Sequence, residues 1–199
     1  MIHPEKKGIR ALGIAESFKR GYPLSALAGV VMRADWKIDG FACSVATVGG
    51  IDATDAVLKI FRNLDRSDIN VILLNGCVIS FFNIIDIERV HLETSLPVIC
   101  VTYEESEGLE KYLSEYFPGD QSRIEAYRRL GEREKIEIDG TELYIRAEGI
   151  SDADAKRVLA KFTPSGAIPE PLRVARIIAR GIMRMLHETG NQSLYSGRE

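Results

Sequence analysis

Apolar residues in this chain gather into short dense runs at residues 9–14, 24–32 and 41–48, each the length of a β-strand. Asp39-Gly40 stands just before the third run as a tight-turn signal, so the three read as an antiparallel meander. Past the Gly49-Gly50 break the period changes. Ala56, Ile60, Phe61 and Leu64 recur at three-and-four spacing, which predicts a helix over residues 52–64. Residues 71–74 are a continuous apolar strand ending in Asn75-Gly76, and residues 98–101 after Pro97 are another. Between them Ile87, Val90 and His91 share one face of a short helix over 86–94. Uninterrupted apolar strands separated by helices predict parallel crossovers.

Residues 107–116 and 121–130 read as helices separated at Pro118-Gly119, and residues 135–138 and 143–147 as a hairpin about Asp139-Gly140. Ser151, with Asp154 three residues on, forms a capping box that opens a helix to Phe162. Pro169 and Pro171 introduce a last helix over 172–187. The reading is an α/β fold: a mixed sheet of three antiparallel strands and then parallel ones, flanked by helices, with C-terminal helical additions. No repeat, low-complexity tract or linker interrupts it, so residues 1–199 read as a single domain.

With 199 residues, 45% of them hydrophobic and 28% charged, the chain can bury a substantial core. Its net charge of -3 excludes a surface that is basic throughout, so any nucleic-acid contact must come from a local patch. Cys43, Cys77 and Cys100 are far apart and form no C-x-x-C pair. That argues against a disulfide framework or a zinc knuckle and for a reduced, cytoplasmic setting. No apolar run reaches the length of a membrane span, and MIHPEKKGIR has no apolar signal segment; the expectation is a soluble protein with no membrane partner.

The element order is that of a ribonuclease H-like sheet. Folds of that order can hold two divalent cations between acids on the first strand, the first helix and the end of the fourth strand. Such cations want anionic oxygen, and a pair of them activates water and stabilises the leaving oxygen of a phosphodiester. The acids at hand are Glu16 after the first run and Asp52 and Asp55 at the start of the first helix, while the fourth strand ends in Asn75, which offers oxygen without charge. Each has a structural reading too: Asp52 as an N-cap, Asp55 as a first-turn acid favoured by the helix dipole, and Asn75 as a turn residue before Gly76.

In the last helix Arg173, Arg176, Arg180 and Arg184 form a stripe opposite Leu172, Ala175, Ile178, Ile182 and Leu186. Guanidinium forks suit phosphate oxygens, while a solvated amphipathic face is the plainer reading, and Glu170 can pair with Arg173 three residues on. Cys77 reads as a nucleophile or a buried thiol, and Phe81 and Phe82 as a base-stacking pair or as core. His3, His91 and His187 are isolated in sequence and form no metal-ligand motif.

The segments GGIDATDAVLKIF, VILLNG, FFNIIDI, LPVICVTYE and AIPEPLRVARIIA resemble the DUF99 family, also called endonuclease dU, a relative of endonuclease V. The resemblance spans roughly residues 9–181, and PEPLRVA is its most specific piece. It implies a Mg²⁺- or Mn²⁺-dependent endonuclease acting on nucleic acid, foremost DNA, that contains deoxyuridine or inosine. The implied catalytic group is Glu16, Asp52, Asp55 and Asn75, the three acids being the metal ligands. Two central acids of the pattern are missing, because the first-strand acid falls on Ala15 and the acid after the fourth strand on Asn75. The family's lysine after the fifth strand falls near Tyr103, its Gly-His on Gly149-Ile150, and its Pro-Tyr wedge is absent before Gly49. Glu16 replaces Ala15 only if the strand bulges or turns, since strand neighbours face opposite ways. Two functions follow: an endonuclease of this kind with weakened activity, or a nucleic-acid-binding or scaffold protein that keeps the nuclease fold without its chemistry.

Overall fold

In a computed structural model describing residues 8–195, the first three runs are strands β1 (Arg10–Ser17), β2 (Leu24–Arg33) and β3 (Ile38–Thr47), paired antiparallel in sequence order. Helix α1 (Ala53–Leu64) follows, then β4 (Val71–Asn75), a short hairpin of β5 (Val78–Ile79) and β6 (Asn83–Ile84), α2 (Ile87–Thr94) and β7 (Val98–Thr102). The chain continues through α3 (Glu110–Tyr116), α4 (Gln121–Arg129), the hairpin β8 (Glu134–Ile138) and β9 (Thr141–Glu148), α5 (Asp152–Phe162) and α6 (Glu170–Tyr195). Seven strands form one mixed sheet in the order β3-β2-β1-β4-β7-β9-β8. β4 runs parallel to β1 and β7, and β9 runs antiparallel to β7. The meander, the parallel strands and the flanking helices are those the apolar pattern predicts. His3 lies outside the described residues.

The two faces of the sheet carry separate cores. Leu12, Ile14, Ile72 and Leu74 pack with Val57, Ile60 and Val90 of α1 and α2. The alternate positions Ala11, Leu73, Ile99 and Val101 pack with Val158, Phe162 and Leu172 of α5 and α6. Strands covered on both faces read as unbroken apolar runs, and each fully buried Leu or Ile contributes about 1.5–3 kcal/mol relative to exposure. The C-terminal helices thus form the second covering layer of the sheet. Helix α6 lies over β1 and β2, with Ala175 against Ala15 and Val30, and it starts earlier and runs further than the apolar spacing predicts. Gly13 permits this approach, since a Cβ there would stand 2.6 Å from Pro171.

Three features were hidden from the sequence. β1 keeps unbroken register with β2 from Arg10 to Ser17, so there is no bulge and Ala15 and Glu16 face opposite sides. The hairpin between β4 and α2 turns through Ser80, Phe81 and Phe82, all at positive φ, where the sequence carries no Gly or Asn to favour that backbone. Finally, Cys77 and Cys100 are paired as a disulfide, their Cα atoms 6.1 Å apart, which corrects the expectation of unpaired cysteines and removes Cys77 as a free nucleophile. Leu74 stands opposite Cys100 in the β4–β7 register, and the chain turns back at Gly76 over its neighbour. A separation of 23 residues has no spacing signature. Cys43 is free.

Candidate functional site

β1 and β4 run parallel with Ile14 opposite Leu74, so the next positions, Ala15 and Asn75, end the pair side by side. Both lie on the α6 face. Ala15 is buried against Ala175, whereas Asn75 is half-buried and lines a cavity of about 610 Å³. Tyr103, Arg133, Arg146 and Arg176 share its lining with the exposed Glu104 and Glu105. This is where ligands gather in open α/β sheets, outside the carboxyl ends of the strands.

Three arginines line that cavity, and two of them, Arg133 and Arg146, also line a neighbouring one. Arg133 donates to Thr102 Oγ1 at 3.2 Å and to the carbonyls of Glu104 at 2.9 Å and Ser106 at 3.0 Å, and lies over the Tyr144 ring at 4.9 Å. Arg146 donates from Nε to the Gly131 carbonyl at 2.9 Å. Burial lowers its pKa, against the Tyr127 hydroxyl and with the neighbouring Arg133 charge. Arg176 comes from α6. None of the three has an ion-pair partner among the described residues, although many other arginines do. The Tyr103 hydroxyl is buried with no hydrogen-bond partner; burial raises its pKa, and the Arg176 charge opposes the rise. The cavity thus brings three arginines without ion pairs among the described residues, and an unpartnered hydroxyl, together with the carboxylates of Glu104 and Glu105; guanidinium groups left free in this way can take an anion.

The carboxylates named by the sequence lie elsewhere. Glu16, on the opposite face from Ala15, accepts from Ser80 N at 3.1 Å and Ser80 Oγ at 2.9 Å. Burial pushes its pKa up, with the Ser80 bonds opposing. Asp52 sits at the N-cap of α1 without capping it. It reaches back to accept from Thr47 N at 3.0 Å, Thr47 Oγ1 at 2.7 Å and Asn83 Nδ2 at 2.7 Å. Burial would raise its pKa, but the Thr47 and Asn83 bonds outweigh that and hold it below the usual range. Asp55 pairs with Arg89 at 2.7 Å. Among the described residues no three His, Cys, Asp or Glu side chains gather where they could share a metal ion. As placed, Glu16, Asp52 and Asp55 do not fit a pair of divalent cations, and the strand-end position offers Ala15 and Asn75 instead.

On α6, Arg173 is taken by Glu170, with Nε 2.7 Å from the carboxylate, while Arg180 and Arg184 are exposed and, with Arg176, carry no ion pair among the described residues. Sequence reasoning missed Arg133 and Arg146, which come from the loop before β8 and from β9, and it missed Arg123. The buried Arg123 on α4 donates to the carbonyls of Gly49, Gly50 and Phe82. An arginine three residues past an N-capping Asp120 has no sequence signal that marks it as buried.

The family model described as endonuclease dU matches residues 7–183. A UPF0215 protein of Pyrobaculum calidifontis is 42% identical over 177 residues, covering 88% of this chain and 97% of the relative. A crystal structure of a protein of unknown function from Archaeoglobus fulgidus superposes with a TM-score of 0.77 at 28% identity, over 88% of this chain and 98% of that one. Endonuclease V of Ciona intestinalis, solved in complex with a 24mer DNA containing an inosine followed by a ribo-adenosine, superposes with a TM-score of 0.60 at 17% identity, over 90% and 87% of the chains. That last likeness establishes the fold. No described helix is long and apolar enough to cross a membrane.

Proposed function

The chain belongs to the endonuclease dU family, and we propose that it binds the phosphate backbone of nucleic acid at the strand-end cavity, with metal-held cleavage weakened or lost. The observation that carries this reading is that Arg133, Arg146 and Arg176 line one cavity and none of them forms an ion pair among the described residues. A phosphodiester has the charge and the planar pairs of oxygens that such forks recognise. The neighbouring Ala15 and Asn75 leave that point of the sheet without the anionic oxygens a hard cation needs. Arg180 and Arg184 extend the cationic line along α6, so a strand can be followed by successive phosphates. The family's name and the fold shared with endonuclease V support nucleic acid as the ligand, with DNA that contains deoxyuridine or inosine the first substrate to try.

The family match also favours a second reading, a Mg²⁺- or Mn²⁺-dependent endonuclease that uses Glu16, Asp52 and Asp55. One set of measurements separates the two. Binding of fluorescein-labelled oligonucleotides is followed by anisotropy across a salt series, and cleavage of the same strands is followed with Mn²⁺ and with chelator. The binding reading expects an affinity that falls with salt, a slope shallower by about 0.7 for a single strand in Arg176→Gln, and cleavage that is slow or absent until Ala15→Asp and Asn75→Asp are combined. Robust chelator-sensitive cleavage by the natural protein that is lost in Asp52→Ala or Asp55→Ala would replace it with the nuclease reading. Absence of binding to any strand would end both.

A further inference from the structure

The hairpin leaving β4 turns through Ser80, Phe81 and Phe82 at φ 45°, 60° and 65°. Left-handed backbone is costly for residues with a Cβ, and a turn that needed only this shape would take Gly or Asn. Here the costly shape is held from several directions. Glu16 grips the Ser80 amide and hydroxyl, and Ser25 Oγ lies 2.5 Å from the same hydroxyl. Gly49 N donates to the Ser80 carbonyl at 2.7 Å, and Arg123 donates to the Phe82 carbonyl at 2.7 Å. Backbone strain that the surroundings over-determine is a pointer to function.

What the turn achieves is to bring two phenyl rings against α3. Phe81 meets Tyr116 edge-on at 5.1 Å, and Phe82 stacks on Tyr116 at 5.6 Å with 28° between the planes. Tyr112, one helical turn earlier on the same face, is 48% exposed, and Tyr116 is 46% exposed. Phe81 and Phe82 are partly buried beneath them, so the two tyrosines present the outer, solvent-facing part of one aromatic cluster. The cluster adjoins the cationic cavity, because Val78 at the foot of the hairpin and Leu109 just ahead of α3 both line it.

We propose that Phe81, Phe82, Tyr112 and Tyr116 form a stacking platform for unpaired bases of the strand whose phosphates lie in the arginine cavity. The inference rests on the nucleic-acid-binding reading. It divides the ligand by chemistry: guanidinium groups take the anionic backbone, and uncharged rings take the π-faces that every base has, so the platform is tolerant of sequence. Unpaired bases are the occupant because a paired duplex keeps those faces covered.

The test uses the full chain and single strands carrying 2-aminopurine, read by anisotropy and by quenching of the base analogue, with matched strands that are abasic at the same positions. Tyr116→Ala is expected to weaken binding of the base-bearing strand roughly 5- to 150-fold and to abolish the quenching. Tyr116→Phe retains both, and the abasic strand binds the natural protein and Tyr116→Ala alike. Tyr112→Ala, on an exposed ring, repeats the test if Tyr116→Ala does not fold. Unchanged binding and quenching in the alanine variants, while Arg176→Gln still weakens binding, would overturn the platform and leave the cavity reading standing. An equal loss on abasic and base-bearing strands would assign these rings a structural role only, and failure of the natural protein to bind any strand would remove the platform together with the reading beneath it.

Discussion

Replacing Arg123 by methionine tests whether one guanidinium holds together the loops behind the site. The natural side chain is 6% exposed. It donates to the Gly50 carbonyl at 2.9 Å, the Phe82 carbonyl at 2.7 Å, the Gly49 carbonyl at 3.1 Å and Asp120 Oδ2 at 3.1 Å, and it lies 4.0 Å from the centre of the Phe117 ring. Methionine keeps much of the aliphatic volume and removes every one of these contacts. A buried acceptor left unsatisfied costs about 1–3 kcal/mol. Gly49 and Gly50 are only half-buried and can turn to water, so the lower end applies to the three carbonyls. Loss of the Asp120 bond and the cation–π contact adds about 1 kcal/mol. The sum is about 3–5 kcal/mol, or a drop in Tm of roughly 6–20 °C for a chain of this size. Urea unfolding followed by circular dichroism is expected to show a lower midpoint at unchanged m-value. Arg123→Lys recovers less than half of the loss, because one ammonium group cannot fork to three carbonyls. A methionine variant within about 1 kcal/mol of the natural protein, or a lysine variant equal to it, would refute the reasoning.

Glu16 gives a prediction with a definite sign. Burial raises its folded-state pKa, so the folded form holds its proton to higher pH than the unfolded chain does, and stability falls as pH rises through the folded pKa. Glu16→Gln, which keeps an oxygen for Ser80, should lack this fall; denaturant titrations across the range just above ordinary carboxyl values would count against it if the two proteins changed in parallel. Gly13→Ala should cost about 1–3 kcal/mol, since the new Cβ meets Pro171 at 2.6 Å and neither backbone can give; a neutral Tm would show that α6 docks more loosely than the geometry requires. Changing Arg176, Arg180 and Arg184 together to Glu should weaken oligonucleotide binding and flatten its salt dependence by about 2 in slope for single strands, and an unchanged slope would return that stripe to a solvated face.

Much of the architecture could be read from the chain alone. Apolar runs of strand length, the change to three-and-four spacing at Ala56, and the Pro and Gly breaks marked the strands and helices because each reports how a short segment buries its own side chains. That Ala15 and Asn75, rather than acids, follow the apolar runs of the first and fourth strands was also legible, since it needs only the residues themselves. The tertiary structure decided the rest. It showed that β1 runs straight through Glu16, that Glu16 and Asp52 are turned to hold Ser80, Thr47 and Asn83, and that Cys77 meets Cys100. It alone gathered Arg133, Arg146 and Arg176 around one cavity from a loop, a strand and a helix, and it alone set Phe81 and Phe82 against Tyr116. Periodicity along a chain encodes which face of an element leaves water, whereas the proximity of residues tens of positions apart depends on strand register and helix docking, which minimise the free energy of the whole core and leave no mark in any single segment.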